Sequence, residues 1–311
     1  MIFSLTTRWN AGRHETGEAM LDEILALGFD HVELGYDLRS HLVPGVLSRI
    51  KTGTIKVDSV HAYCPLPPVV PVPHPEPFTL ASPDPRVRAS ANHHLENTLR
   101  FAAEIGARVV VTHAGNVDMS PLSPKLVELT ALGQQYSEAY DKIRMKLLLT
   151  REKAVASQLP HLYAAIEKLM PLLESTRRIL ALEILPSWEA IPTEVEMEKL
   201  VKHFNSPWLR CWHDMGHGQI RENLGLTSHV RWVQRLRPIL AGMHIHDVLP
   251  PASDHLMPPL GKIDFKLFRD AAQDDIVRVL EPSPAATAEE IVTGLQIIRE
   301  AWLTQEEHKQ G

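Results

Sequence analysis

The sequence predicts an α/β chain folded as a TIM-type (β/α)8 barrel, with a long Pro-rich loop after strand 3 and a helical insertion after strand 4. Short β-branched or apolar runs alternate with amphipathic helical stretches, the pattern of parallel strands joined by crossover helices. Eight such runs can be counted, which favours a closed barrel over an open sheet. The third to the eighth run each end in or lead into His, Asp or Glu, and in barrels of this kind active sites gather at the C-terminal ends of the strands.

The runs are Ile2 to Leu5, His31 to Tyr36, Val57 to Tyr63, Arg108 to His113, Leu180 to Leu185, Leu209 to Trp212, Ala241 to His246 and Ile276 to Leu280. Between the first two, Met20, Ile24 and Leu27 share one helical face before Gly28; Leu95, Leu99, Ala102 and Ile105 do the same before Gly106. Cys64 to Pro85 holds nine prolines and can be neither helix nor central strand. Val69, Val70, Val72 and Phe78 give that stretch something to bury, so a stiff packed loop is expected in preference to a disordered linker. Pro121 to Thr150 reads as an added helix ahead of the expected one at Glu152 to Arg178. Thr287 and Glu290 have capping-box spacing before Ile291, Leu295, Ile298 and Trp302. One barrel domain is expected over 1–304, with a polar tail over 305–311.

At 311 residues the chain is within the range of a single such barrel. Hydrophobic residues at 44% and charged residues at 23% describe an ordinary globular chain. The start MIFSLTTRWNAGRHE has no basic region followed by a long apolar run, and no stretch is long and apolar enough to cross a bilayer. The expected location is cytoplasmic, with no membrane partner. Cys64 and Cys211 are the only cysteines, too few for a disulfide framework or a Cys-based zinc site. A net charge of −6 and pI near 6.3 argue against a nucleic-acid surface. A small-molecule substrate is expected, and a homodimer on general frequency.

The 17 histidines are the unusual feature, because many sit in apolar runs. His61 ends the third run, His113 the fourth and Glu183 the fifth, and the sixth leads into His213, Asp214 and His217. His244, His246 and Asp247 follow from the seventh, Asp254 and His255 from the loop after it, and Glu281 from the eighth. Taken singly, each has an ordinary reading as a hydrogen-bonded core or surface group. Together they place four carboxylates at one mouth, and burying a carboxylate without a partner costs several kcal/mol. Few Lys or Arg lie at these strand ends, so a divalent metal ion is the economical counter-charge. Mixed oxygen and imidazole ligands suit Zn or Mn, with Co or Fe also suitable, more than Ca or Mg. His244 and His246 share a face at period two, so one can bind metal while the other reaches substrate.

The segments GFDHVELG, SVHAYCP, VVVTHAG, LALEIL, WHDMGHG, GMHIHDV, PLGKIDF and VLEP, in this order, resemble the xylose isomerase-like TIM-barrel superfamily along nearly the whole chain. That superfamily contains sugar and sugar-phosphate isomerases and epimerases and the apurinic-site endonuclease family 2. The resemblance implies one metal held by Glu183, Asp214, His244 and Glu281, with His217 contacting substrate. The endonuclease branch adds metals through positions matching His61, His113, Asp254 and His255. Asp254 and His255 are adjacent where that branch spaces them by one residue, and Leu260, Gly261 and Lys262 stand where it has Gly-Glu-Gly.

The leading expectation is an isomerase or epimerase of a sugar, polyol or related hydroxy-carbonyl compound, working by proton transfer through a metal-stabilised enediolate. Glu183 and Glu281 would move the proton from opposite faces, while His217, with His61 or His246, fixes hydroxyls. Trp188 and Trp9 either stack on substrate or seal the barrel mouth. The alternative is a metal-dependent hydrolase of a phosphodiester or amide using two or three ions, which would account for His61 and His113. A non-catalytic scaffold ranks last, because no ligand position is replaced by an apolar residue. Cys64, three residues from His61, reads as a small buried or loop thiol.

Overall fold

The computed structural model describes residues 1–273 and 275–303; the expected polar tail lies outside them. The strands β1 (Ser4–Thr6), β2 (His31–Leu34), β3 (Lys56–His61), β4 (Val109–Thr112), β5 (Ile179–Glu183), β6 (Leu209–Asp214) and β7 (Leu240–Ile245) form a parallel barrel. After a small antiparallel hairpin, β8 (Asp247–Leu249) and β9 (Ser253–Leu256), strand β10 (Val277–Leu280) closes it in the order β1-β10-β7-β6-β5-β4-β3-β2. The helices are α1 (Gly17–Ala26), α2 (Val43–Lys51), α3 (Pro85–Glu104), α4 (Ser123–Ala131), α5 (Glu138–Thr176), α6 (Glu194–Phe204), α7 (Met215–Asn223), α8 (His229–Leu236) and α9 (Ala288–Trp302). None of the described helices is long and apolar enough to cross a membrane.

Period-two alternation sorts each strand into two faces. Leu5, Val32, Leu34, Val60, Val110, Leu180 and Leu182 join the large apolar layer between barrel and helices. Val109, Val111, Ala181, Trp212, Val277 and Val279 fill the barrel interior. Trp212 is its plug, and a Cβ on Gly242 would lie 2.2 Å from Trp212 Cζ3, so only glycine fits beside the indole. Continuing the inward faces upward by two residues reaches His113 above Val111, Glu183 above Ala181, Asp214 above Trp212 and Glu281 above Val279. The same apolar patterning that closes the barrel therefore aims these side chains at one place.

The expected helix stops hold: Gly28 and Gly106 adopt φ of +87° and +79° just past the caps Leu27 and Ile105 of α1 and α3, where an L-side chain would be strained. The capping box of Thr287 and Glu290 opens α9. Two expectations are corrected. The break near residue 150 is absent, because α5 runs unbroken for 39 residues through Pro160 and Pro171. At the expected break, Arg151 is buried and gives Nη1 and Nη2 to the two oxygens of Glu196 at 2.7 and 2.8 Å, which anchors the helix there. In the Pro-rich segment Val70 is buried and Phe78 packs against the core, but Val69 and Val72 are 69% and 71% exposed, so half of the expected apolar anchors face outward.

Candidate metal centre

Strands β5, β6, β7 and β10 bring Glu183, Asp214, His244 and Glu281 together around one point, all buried. His244 Nδ1 lies 3.1 Å from Glu281 Oε2, 3.6 Å from Glu183 Oε1 and 3.7 Å from Asp214 Oδ2, yet makes no hydrogen bond. The other nitrogen of the ring, Nε2, is 3.0 Å from Glu33 Oε1, and Ser59 Oγ donates to Glu33 Oε2 at 2.7 Å. A carboxylate accepts, so in the neutral imidazole Nε2 carries the hydrogen and Nδ1 presents a lone pair to three carboxylate oxygens. That arrangement repels itself unless a cation sits among the four groups. The donor set therefore fits a divalent ion, and Glu33–His244 is the carboxylate–histidine pairing that fixes the tautomer of a metal-binding imidazole. Without an ion a proton takes its place. Burial lowers the His244 pKa, but Glu281, Glu33 and Glu183 outweigh it and hold it well above the ordinary value.

Asp214 also caps α7, accepting from the His217 N–H at 2.7 Å, and its Oδ2 meets His246 Nε2 at 3.1 Å. His246 Nδ1 accepts the backbone N–H of His255 at 2.9 Å, so Nε2 is the donor to Asp214. Both ring nitrogens of His246 are thus engaged in a fully buried ring, and neither is free for the substrate contact expected of it. A Cβ on Gly216 would fall 1.9 Å from His246 Cε1, so the Asp-Met-Gly-His segment needs glycine where the ring lies. His217 Nδ1 sits 3.3 Å from Glu183 Oε1.

A second set shares Glu183. His61 Nε2 and His113 Nε2 each lie 3.3 Å from Glu183 Oε2, while His61 Nδ1 faces the Ala62 carbonyl at 3.0 Å. His255 reaches the mouth from the β8–β9 hairpin, stacked on His246 at 4.2 Å, with Nδ1 at 3.2 Å from Asp254 and Nε2 at 3.7 Å from Glu281 Oε2. The triples His61–His113–Glu183 and Glu183–Asp214–His244 could each hold an ion; two further groupings, Asp214–His217–His246 and His246–His255–Glu281, have the spacing but run through His246, whose ring nitrogens are already engaged. Burial raises the carboxyl pKa of Glu183, but His113 and His244 prevail and hold it well below the usual range; for Glu281 it is His244 and Arg8 that prevail. Against burial, Glu183 and Glu76 push His113 up to about 9, and Asp254 and Glu281 push His255 up to about 10.

Arg8, two residues past β1, donates Nη1 to Glu281 Oε1 at 2.5 Å, so the first strand, outside the six that carry the acids and imidazoles, brings one guanidinium to the mouth. Three expectations are corrected. His213 points away from the axis, one residue out of phase with Asp214, and pairs Nε2 to Nε2 with His229 at 2.9 Å. Asp247 clamps the following loop by accepting the N–H groups of Val248, Gly261 and Ile263. Trp188, expected against substrate, lies against the guanidinium of Arg221 at 5.2 Å and is not part of the cavity wall. Trp9 is buried and donates Nε1 to the Ala286 carbonyl, and Cys64 is a fully buried thiol raised by that burial.

Glu183 and Glu281, with His61, His113, His217 and His255, line a cavity of about 190 Å³; Arg8, Tyr36 and Pro75 complete its wall. Arg8, Glu33, Tyr36 and Glu76 were not among the residues expected at the site. Glu33 had a visible signal, a lone acid in the apolar run His31-Val32-Glu33-Leu34 at an inward position. Arg8 had only its place just beyond β1.

A parallel barrel whose inward residues end in this His and carboxylate ring defines the class, and comparison with known proteins agrees. The chain belongs to the xylose isomerase-like TIM barrel family, whose model matches residues 21–300. No curated protein matches it significantly in sequence. Among solved structures, a D-tagatose 3-epimerase-like protein superposes with a TM-score of 0.67 at 18% identity, over 96% of this chain and 99% of that one. The 3-keto-D-glucoside 4-epimerase of E. coli gives 0.67 at 15% identity, over 96% and 99%. D-psicose 3-epimerase from Clostridium cellulolyticum H10, solved with D-tagatose, gives 0.65 at 15% identity, over 98% and 100%. At these identities the likeness is one of fold.

Proposed function

We propose that the chain is a divalent-metal-dependent isomerase or epimerase of a sugar, polyol or related hydroxy-carbonyl compound. The observation that carries this is the buried, unbonded His244 Nδ1 facing Glu281, Glu183 and Asp214. Glu183, Asp214, His244 and Glu281 would hold the ion, Zn or Mn best, Co or Fe also. Bound there, the ion supplies Lewis acidity to the substrate oxygens and offsets the negative charge that builds when a C–H bond is broken. Glu183, ionised by its imidazole neighbours, takes the proton from carbon, and Glu281 serves the opposite face. His217 and His61, both on the cavity wall, orient hydroxyls. The names of the three fold neighbours given above, sugar epimerases or epimerase-like, support the same reading.

Glu183→Gln keeps the shape of the carboxylate and removes its basicity. It should leave the fold intact and lower exchange of substrate hydrogen with solvent by about 10² to 10⁴-fold, measured by NMR in heavy water. Unchanged exchange rejects the role.

One observation favours a second reading, metal-dependent hydrolysis. Glu183 Oε2 is shared by His61 and His113, a second donor set that a one-metal isomerase does not require. Elemental analysis separates the two: about one ion per chain supports isomerisation, two or three support hydrolysis.

A further inference from the structure

We infer that the substrate carries a carboxylate and that Arg8, backed by Tyr36, is the group that reads it. The inference rests on the sugar isomerase reading above and narrows its substrate to sugar acids.

A guanidinium has two in-plane edges that can each grip a carboxylate bidentately. Elsewhere in this chain the Nε/Nη2 edge does so. Arg13 gives both nitrogens to Glu23 at 3.3 and 2.8 Å, and Arg49 gives both to Asp22 at 2.8 and 2.6 Å. Arg8 has committed only Nη1, to Glu281. Its Nε and Nη2 make no hydrogen bond to the described residues and are not fully buried, and Arg8 is part of the cavity wall. The free edge is the one Arg13 and Arg49 use to hold two oxygens, whereas Arg151 and Arg237 use the Nη1/Nη2 edge.

The group is built in place. The Tyr36 ring lies under the guanidinium at 4.8 Å and holds its plane. A Cβ on Gly35 would fall 2.6 Å from Arg8 Cγ, so glycine there clears the path of the arginine stem. The donor count of the wall points the same way. With Glu183 and Glu281 assigned to the metal, what remains is a guanidinium, four imidazoles, a phenol and a proline. The imidazoles and the phenol can both donate and accept, so they suit hydroxyls of any sugar. Arg8 alone in this wall is a pure donor, five N–H groups and no acceptor, which matches an oxyanion. Two donors on one edge match the two oxygens of a carboxylate, and a cavity of about 190 Å³ suits one small sugar acid.

Calorimetric titration of the metal-loaded protein tests this. The probes are glucuronate against glucose, galacturonate against galactose, and the 6-phosphates of both hexoses. At least one uronate should bind about 10 to 100-fold tighter than its parent sugar, the range of a charge-assisted hydrogen-bonded pair. Arg8→Lys should shrink that ratio, and Arg8→Met should bring it to about one. Taking the ratio within each variant cancels changes in metal content passed through Glu281, and metal is counted in every sample. Equal binding of uronates and sugars in the wild type overturns the inference. So does a preference that survives Arg8→Met, which would be chelation of the metal by the carboxylate, and so does tighter binding of the 6-phosphates. If no probe binds and no substrate hydrogen exchanges, the sugar reading itself fails; intact exchange with equal binding removes only the role of Arg8.

Discussion

Two sets of buried acids in this molecule are balanced by cationic side chains, and the cations differ; buried Glu189 and Asp247 are instead held by backbone N–H groups. Behind the barrel wall, Glu194 faces Arg221 at 2.8 Å, and Glu196 takes both Nη groups of Arg151. Each acid there has its own guanidinium. At the mouth, Glu33, Glu183, Asp214 and Glu281 have Arg8 as their one guanidinium and imidazoles for the rest. A guanidinium is always charged, so the outer pairs are complete in the bare protein. An imidazole can give up its proton and offer a lone pair instead, so under the function proposed above the mouth exchanges protons for a metal. The difference between stapling and binding is thus written in the choice of cation beside each carboxylate.

Breaking an outer pair should cost the most stability and be indifferent to metal. Glu196→Ala leaves the buried Arg151 unpaired and should destabilise by about 3–5 kcal/mol, with the same loss in chelator and in excess metal. Denaturant titration in both conditions measures it. Stripping metal from the wild type should cost somewhat less, about 3–4 kcal/mol when the ion was present at 100 to 1,000 times its Kd. Should the chelator leave the unfolding midpoint unmoved, the mouth is no metal centre and the contrast between the two regions collapses.

Which strand ends carry the site was legible because strands alternate strictly. His113, Glu183, Asp214 and Glu281 each continue an inward apolar series, and that regularity can be read without coordinates. The same parity explains His213, which sits one place out of phase and turns outward to His229. What stayed hidden depends on contacts between distant segments. Nothing in the run around Glu33 says that it meets His244 across 211 positions, and nothing near Arg8 says that it reaches Glu281 across 273. Likewise, the individual nitrogens of His246 are assigned by the His255 backbone arriving on a hairpin, a tertiary event with no local signature. The unbroken α5 was missed because Arg151, a charged residue at an apparent boundary, is held by Glu196 from another helix.

A smaller effect sharpens the comparison inside the mouth. Glu33 contributes no atom to the triples that could hold an ion; its part is to keep the hydrogen of His244 on Nε2. Glu33→Gln can still hydrogen-bond but loses the charge that makes the imidazole a strong donor to metal. Metal affinity should fall about 10 to 100-fold, read by competition with a chromophoric chelator, while the folded state is retained. Unchanged affinity would return Glu33 to the role of an ordinary buried partner of Ser59.

The smallest effect belongs to a third setting, the surface, where the same chemistry is diluted by water. Burial, the largest single influence, raises the Glu23 carboxyl, but Arg13, His14 and Asn10 together prevail and bring it from 4.5 down to about 2. A depressed folded pKa means that the cluster stabilises above the ordinary carboxylate range and that this contribution disappears as pH falls from about 4.5 toward 2. Because Glu23 is 34% exposed, solvent screening leaves an expected contribution of about 0.5 kcal/mol. Arg13→Gln should therefore lower stability by that small amount at pH 7 and by less at pH 3, and 1 M salt should erase most of the difference. The Arg151–Glu196 pair, taken through the same salt series, should change far less, since ions do not reach it; equal salt sensitivity would mean that burial is not what separates the stapled acids from the solvated ones.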